Sequence, residues 1–455
     1  MQARGVVPAL VLAFGLLTAW SGQAETVLNA DQMRNLAFQQ MQAGQYQTAL
    51  DLTDVLLARD PGDAAALIVR AQALRGMGRL PEAEAAARKA FAVGGSLNLL
   101  YGASLAMAQV MAHEDHWTWA QIWLRRASHY ATSDQQRARV AQDYRYVRSQ
   151  NPLNLRFDLS VQPSDNVNNG SLHSLWDREG YPTPWTLSGE AQALSGVIAT
   201  GGITGSYVLG QTQTTHDALL FGANEARVFL SPDAQALAPE ATNAEFTRQT
   251  LTFGYEHKEL LSQDGLIATT TLNGWKEWYG SAPLANIGSL AVDLTAPLMP
   301  RVQGFGHLSL TRNVRLDYSL TSSTVATFSG GWGQLLKNGD GLRVEASAIR
   351  TISDDIGTDN GALGLSLNWN HAQPVAGTIW GAGLSARQSH WALSPYDPTG
   401  RQDLELVAQI SAEFSVVSIY GFSPVLNISY ATNTSNIDLY DSRTFGVGVS
   451  IRSRF

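Results

Sequence analysis

The sequence predicts an α + β multidomain chain: N-terminal α-helical repeats followed by a membrane-spanning antiparallel β-barrel of about 14 strands. Three observations lead there. An Ala-, Gln- and Arg-rich stretch over 29–149 repeats itself after 34 residues. From Leu153 onward the texture changes to segments in which apolar and polar residues alternate. The last eleven residues set Phe445, Val447, Val449, Ile451, Ser453 and Phe455 against Gly446, Gly448, Ser450, Arg452 and Arg454, because successive strand side chains point to opposite faces. An apolar face opposite a small and cationic one suits a tilted strand with lipid on one side and a wet lumen on the other.

Composition agrees with strands rather than helices as the spanning elements. Only 15% of the 455 residues are charged, yet mean hydropathy is −0.10 and no run of eighteen apolar residues follows the first 25. That excludes a helical membrane protein. The 41 Gly, 12 Trp and 14 Tyr suit tight turns and interfacial aromatic girdles. With no Cys in the chain, disulfides, thiolate metal sites, a cysteine nucleophile and a lipidated N-terminus are all excluded.

Residues 1–24 read as a secretory leader, with Arg4 as the n-region charge, an apolar core over 6–20 and Ser21-Gly22-Gln23-Ala24 as cleavage site. The leader implies export, with residues 25–150 placed in the periplasm and 151–455 in the outer membrane.

Within 25–150 the pattern Gly44-x-Tyr46-x-x-Ala49 followed by Pro61 returns as Gly78-x-Leu80-x-x-Ala83. A looser third copy follows 37 residues on, with Trp117 and Ala120. This resembles the tetratricopeptide repeat: Gly turns the chain between two helices, and Ala is small where they cross. Three helix pairs can bury a continuous core where one cannot. The repeat pattern implies a concave partner-binding face bearing Arg34, Phe38, Met41, Ile68, Gln72 and Arg75. The run His113-Glu114-Asp115-His116 lacks zincin spacing and reads as an exposed turn.

Asn151-Pro152 marks the boundary, since Pro ends a helical pattern. Alternating segments follow over 153–161, 187–200, 202–212, 218–230, 246–258, 266–279, 287–298, 303–320, 324–335, 342–351, 362–370, 378–389, 404–416 and 419–431. The weaker neighbours are expected to merge into longer strands. An even strand number returns the C-terminus to the side on which the barrel begins, so 164–186, 231–243 and 391–400 read as outer loops. Lys337-Asn338-Gly339-Asp340-Gly341 reads as a tight hairpin turn, and Asp354, Asp355 and Asp359 as a solvated one.

Charge separates the halves: 13 Lys+Arg against 12 Asp+Glu over 25–150, and 17 against 27 over 151–455. The acidity belongs to the barrel half, which suggests a lumen or loops favouring basic cargo or cations. Nothing points to nucleic acid.

Two motifs carry a family resemblance. Pro163-Ser164-Asp165-Asn166-Val167-Asn168-Asn169 follows the first strand, and Asn433-Thr434-Ser435-Asn436-Ile437-Asp438-Leu439-Tyr440 precedes the last. Together with Arg401-Gln402-Asp403 opening a late strand, they resemble the surface lipoprotein assembly modulators, called Slam. The order of leader, repeats, barrel and terminal Phe is also similar. The resemblance implies an outer-membrane translocation factor that delivers lipoproteins or related secreted binding proteins to the cell surface. Asp165, Asn166, Asn168, Asn169, Asn433, Ser435, Asn436 and Tyr440 would be its motif residues. Phe455 resembles the C-terminal aromatic of outer-membrane barrels, which implies recognition by the barrel insertion machinery. An exopolysaccharide export barrel and a passive porin are the rival readings.

No Gly-x-Ser-x-Gly elbow and no phosphate-cradling Gly loop occurs, so the expectation is no enzyme, no cofactor and no metal.

Overall fold

The computed structural model describes residues 28–176 and 183–453, so the 1–24 leader and Phe455 lie outside the described residues. The described chain opens with seven helices and continues as a closed antiparallel barrel of fourteen strands.

By its packing the chain divides into two compact units between Gly95 and Ser96. The first holds α1 (Ala30–Gln42), α2 (Tyr46–Arg59), α3 (Ala64–Gly76) and α4 (Leu80–Val93). Each start has a local cause. Asn29 accepts from the Gln32 amide while the Gln32 side chain returns to the Asn29 amide, and Asp63 caps α3 by accepting from the Ala66 amide. Gly44 and Gly78, one repeat apart, both hold positive φ (77° and 76°), which glycine adopts without a steric penalty. Ala49 and Ala83 are fully buried where the helices of each pair meet.

The second unit begins with α5 (Leu97–His113), α6 (Trp117–Tyr130) and α7 (Asp134–Gln150). Ala120 of the looser third copy is also fully buried, and Asp115 takes the left-handed turn position (φ 56°) that glycine holds in the first two copies. Helix gives way to strand at Asn151-Pro152, but α5–α7 group with the barrel rather than with α1–α4.

The barrel starts with β1 (Leu153–Ser164). A two-stranded ribbon, β2 (Leu175–Trp176) with β3 (Trp185–Thr186), lies in the loop that follows. Then come β4 (Gly196–Gln211), β5 (Thr215–Leu230), β6 (Arg248–Leu260), β7 (Ile267–Tyr279) and β8 (Ala282–Met299). Short helix α8 (Pro232–Leu237) sits between β5 and β6. The barrel continues through β9 (Val302–Arg315), β10 (Ser323–Leu335), β11 (Gly341–Ser353), β12 (Asn360–Asn370) and β13 (Thr378–Trp391). It closes with β14 (Arg401–Phe414), β15 (Phe422–Ser435) and β16 (Ser442–Ser453), which returns to β1.

Two expected strands, 187–200 and 202–212, are one: β4 runs 16 residues, and 187–195 belongs to the preceding loop. Gly201, which lies between those two segments, and Gly202, which opens the second, sit in the ladder opposite Leu159 and Asp158, so the strand runs straight through them. Likewise β9 stops at Arg315, short of residue 320, and β15 starts at Phe422 rather than 419.

Alternation sorts the faces. On β12, Leu363, Leu365 and Leu367 point outward at 67%, 59% and 41% exposure, with Gly364, Ser366 and Asn368 between them facing inward. Leu159, Phe253, Leu272, Leu308, Phe328, Leu384 and Val449 continue this apolar belt around the barrel. A closed sheet with such a belt pairs nearly all of its strand backbone internally and presents hydrocarbon to lipid, so the fold is a membrane-spanning barrel. The loops 165–195, 231–247 and 392–400 all emerge at one end, called the far end, and α7 meets β1 at the opposite, near end.

Candidate functional site

The lumen is built by a recurring spacing, Arg-x-Asp/Glu, which puts both charges on one face of a strand. Arg343 Nη2 lies 3.1 Å from Glu345 Oε2, and the Arg343 guanidinium sits 3.4 Å over the Phe305 ring. Arg156 pairs with Asp158 at 3.0 Å in the same way. Pairs between strands complete the lining: Arg248 to Glu277 at 3.0 Å, Arg387 to Glu405 at 2.7 Å, His307 to Asp293 at 2.8 Å and Arg452 to Glu413 at 3.2 Å. The register places all of these inward. The wall therefore alternates sign rather than being acidic, and the acidic excess lies in loops, at Asp233, Glu240, Asp264, Asp354, Asp397 and Asp438 among others. Of the two places the sequence left open for the acidity, lumen or loops, the loops carry the excess, while Asp158, Glu277, Glu345, Glu405 and Glu413 in the lumen each lie against an arginine that offsets them.

At the far end the second motif meets Arg401 and Asp403. The Arg401 guanidinium donates through Nε to Asp403 Oδ1 (2.8 Å) and is stacked 3.3 Å from the Tyr440 ring and 4.2 Å from that of Trp391. Asp403, 5% exposed, also accepts from Asn433 Nδ2 (3.2 Å), and the same Nδ2 donates to the Tyr440 carbonyl (2.9 Å). Asn436 bridges to the neighbouring loop, accepting from the Gln402 amide (2.6 Å) and donating to the Gly400 carbonyl (3.1 Å). Ser435 Oγ accepts from the Ile437 amide (3.2 Å) and closes the turn. Burial beside Tyr396 pushes the Tyr440 hydroxyl up, against the pull of Arg401.

The first motif does similar work on the other side of the closing strand. Asp165 Oδ1 accepts from the Phe445 amide (2.6 Å), and Asn166 Nδ2 donates to the carbonyls of Gly170 (3.0 Å) and Arg443 (3.1 Å). Asn168 holds 190–194 through the Glu190 and Gln192 carbonyls and the Leu194 amide. Asn169 adopts positive φ (53°) and accepts from Ser442 Oγ at 3.5 Å. Leu194 then packs with Val228, Leu230, Ala234, Ala238 and Ala241 in a small core beneath the far-end loops. These Asn and Asp side chains serve as backbone fasteners, which their short amide and carboxylate groups suit.

In the first unit, Arg34, Phe38 and Met41 lie on α1 and Ile68, Gln72 and Arg75 on α3. Phe38 is 45% exposed, whereas Met41, Ile68, Gln72 and Arg75 are half-buried. Arg34 is committed elsewhere: its Nε donates to Asp63 Oδ2 at 2.7 Å, and that carboxylate is 5% exposed. Its hydrogen bond to Asp63 holds the Arg34 guanidinium above its usual range, while burial lowers that of Arg75.

Asp359 pairs with Arg350 at 2.6 Å and Asp355 accepts from Thr358, so neither carboxylate stands free for a cation. Sequence reasoning missed the docking of α6: Arg125 Nη2 donates to Ser453 Oγ (2.8 Å) and Tyr144 Oη (3.1 Å), and the guanidinium lies 4.7 Å from the Phe422 ring. No local signal marks such a contact, whereas the Arg-x-Asp/Glu spacing of the lumen is visible in the sequence.

No family model matches the chain, and no curated protein matches it. Among solved structures, the helical part is similar to the type III secretion translocator chaperone SycD of Yersinia enterocolitica, at 17% identity over 26% of this chain and 83% of that one (TM-score 0.24). The barrel is similar to the outer membrane channel DcaP of Acinetobacter baumannii, at 10% identity over 66% and 96% (TM-score 0.35). It is also similar to a bacterial polysaccharide outer membrane secretin, at 8% identity over 66% and 98% (TM-score 0.33). The fold stands on the chain's own strand pairing and helix packing.

Proposed function

We propose that this chain is an outer-membrane translocation factor that delivers lipoproteins or related secreted binding proteins to the cell surface. The observation that carries the reading is the joining, in one chain, of helical repeats to a barrel with a polar, charge-alternating lumen. Repeat helices offer a protein-binding face, and a lumen whose charges are already paired holds no single sign of ion strongly. In this reading the near end and the helices face the periplasm, the barrel insertion machinery places the barrel among outer-membrane lipids, and cargo is handed over without catalysis or cofactor.

The test compares cells lacking the chain with cells carrying it. Surface proteins are labelled with a membrane-impermeant biotin reagent and identified by mass spectrometry. The reading expects one or more lipoproteins to lose label while their total abundance holds. Unchanged labelling of every surface lipoprotein would overturn it.

A further inference from the structure

Thirteen of the fourteen barrel seams are paired along most of their length, and one is not. β1 pairs with β4 at every position from Leu153 to Ser164, and β16 pairs with β15 from Ser442 to Ser453. Between β1 and β16 the partners are Ser160 with Ser450, Val161 with Val449 and Ser164 with Gly446. All three lie in the far half. Extending the same register would set Leu159, Asp158 and Phe157 against Ile451, Arg452 and Ser453, yet no ladder pair joins these described residues.

The far half of the seam is fastened several times over. Besides the Asp165 and Asn166 bonds to β16, the Leu172 amide donates to the Asp441 carbonyl (2.9 Å). Gln162 Nε2 reaches across β16 to Ser429 Oγ (3.2 Å), and a Cβ at Gly446 would lie 2.2 Å from that amide nitrogen. Glycine at 446 thus lets β1 grip β15 over the top of β16.

In the near half each side keeps to itself. On β1, Arg156 pairs with Asp158; on β16, Arg452 reaches back to Glu413 of β14. No ion pair crosses the seam among these residues. From outside, α6 holds the β15–β16 side through Arg125, which contacts Ser453, Phe422 and the Tyr420 carbonyl (3.4 Å), with His129 4.5 Å from the Tyr420 ring.

We infer that the near half of the β1–β16 seam parts sideways, hinged by the far-end fasteners and steadied by α6, and that the freed β1 edge over 153–159 receives an extended polypeptide strand. The occupant follows from the edge. Unpaired strand backbone at the hydrocarbon boundary lacks water to satisfy it, and an added strand supplies donors and acceptors in register. The edge continues the existing β1–β16 ladder, and Leu155, Phe157 and Leu159 point outward with Arg156 and Asp158 inward. A strand of alternating apolar and polar residues therefore fits it. This deepens the translocation reading by naming where cargo would first pair, but the edge can be tested without any cargo.

The full chain is reconstituted in liposomes with p-benzoylphenylalanine replacing Phe157, or replacing Leu365 of the fully paired β12 as control. The probe is a synthetic peptide of alternating Val and Thr. The inference expects photo-crosslinking at 157, none at 365, and loss of the 157 product when Leu159→Cys and Ile451→Cys are joined by a disulfide. The absence of native Cys makes that stitch unambiguous. Joining Val161→Cys to Val449→Cys, already partners, should leave the product intact. Equal crosslinking at 157 and 365, or a product that survives the near-half stitch, would overturn it. Crosslinking at 157 combined with unchanged surface lipoproteins in deletion cells would leave the edge standing and remove the translocation reading.

Discussion

Replacing Leu365 by Arg sets a cation against hydrocarbon at the middle of β12. Leu365 is 59% exposed and its ladder partners are Ala346 and Ala386, so neither neighbour shields the site. An Arg at the midplane of a barrel's lipid face costs about 2–4 kcal/mol, equivalent to about 30- to 700-fold in the ratio of folded to unfolded chain. Ser366, one residue on, faces the lumen between Glu345 and Ser385. An Arg there gains a carboxylate neighbour and changes stability by no more than about 1 kcal/mol. Reversible urea unfolding of the full chain in liposomes, followed by Trp emission, measures both variants. Leu365→Arg should lose stability in the stated range and Ser366→Arg should sit near the parent. Equal losses, or the larger loss at 366, would refute the assignment of faces.

Three further outcomes follow from particular contacts. Arg401→Ala leaves Asp403 nearly buried without its cation, at a cost of about 1–3 kcal/mol, and should expose 392–400 to proteolysis; Arg401→Lys should not restore protection, because a planar group is needed between two rings. In the near-end turn, backbone and side-chain donors from Ala372, Asn338 and Trp369 hold the Asp340 carboxyl below its usual value. That stabilisation is present above the unfolded value of about pH 4 and lost as pH falls through the lower folded value; faster amide exchange over 336–340 on acidification, absent in Asp340→Asn, is the expected readout. Arg34→Ala should destabilise α1–α3 by about 1–2 kcal/mol after allowing for the partly exposed guanidinium, with Asp63→Asn recovering most of the loss by hydrogen exchange.

That last outcome marks where sequence reading stopped. Arg34 was legible as a cation on the first helix of a repeat and so as part of the implied partner-binding face. Its partner Asp63 lies 29 residues away and serves also as the α3 cap, so the charge is structural and its reversal would confound folding with binding. The repeats themselves were legible because Gly44, Gly78, Ala49 and Ala83 each answer a local steric demand. The barrel was legible because alternation is a property of single strands. That weaker neighbouring segments merge was expected, but which ones was not legible: Gly201 and Gly202 lack the side chains that carry the alternation, although both stay in the ladder. The motif Asn and Asp residues were found by position, but their bonds to Phe445, Arg443 and Gly400 cross distant sequence. The grouping of α5–α7 with the barrel and the half-paired seam depend on tertiary contacts that no period encodes.

The most direct test of translocation needs only the purified chain, sealed vesicles and a lipoprotein that loses surface label in the deletion cells. The full chain is inserted with its helices outward, the lipoprotein is presented to the outside, and protease is added after incubation. The account predicts a full-length, protease-shielded lipoprotein that appears only in vesicles containing the chain and is digested once detergent opens them. Complete digestion in intact vesicles carrying correctly inserted chain would contradict it.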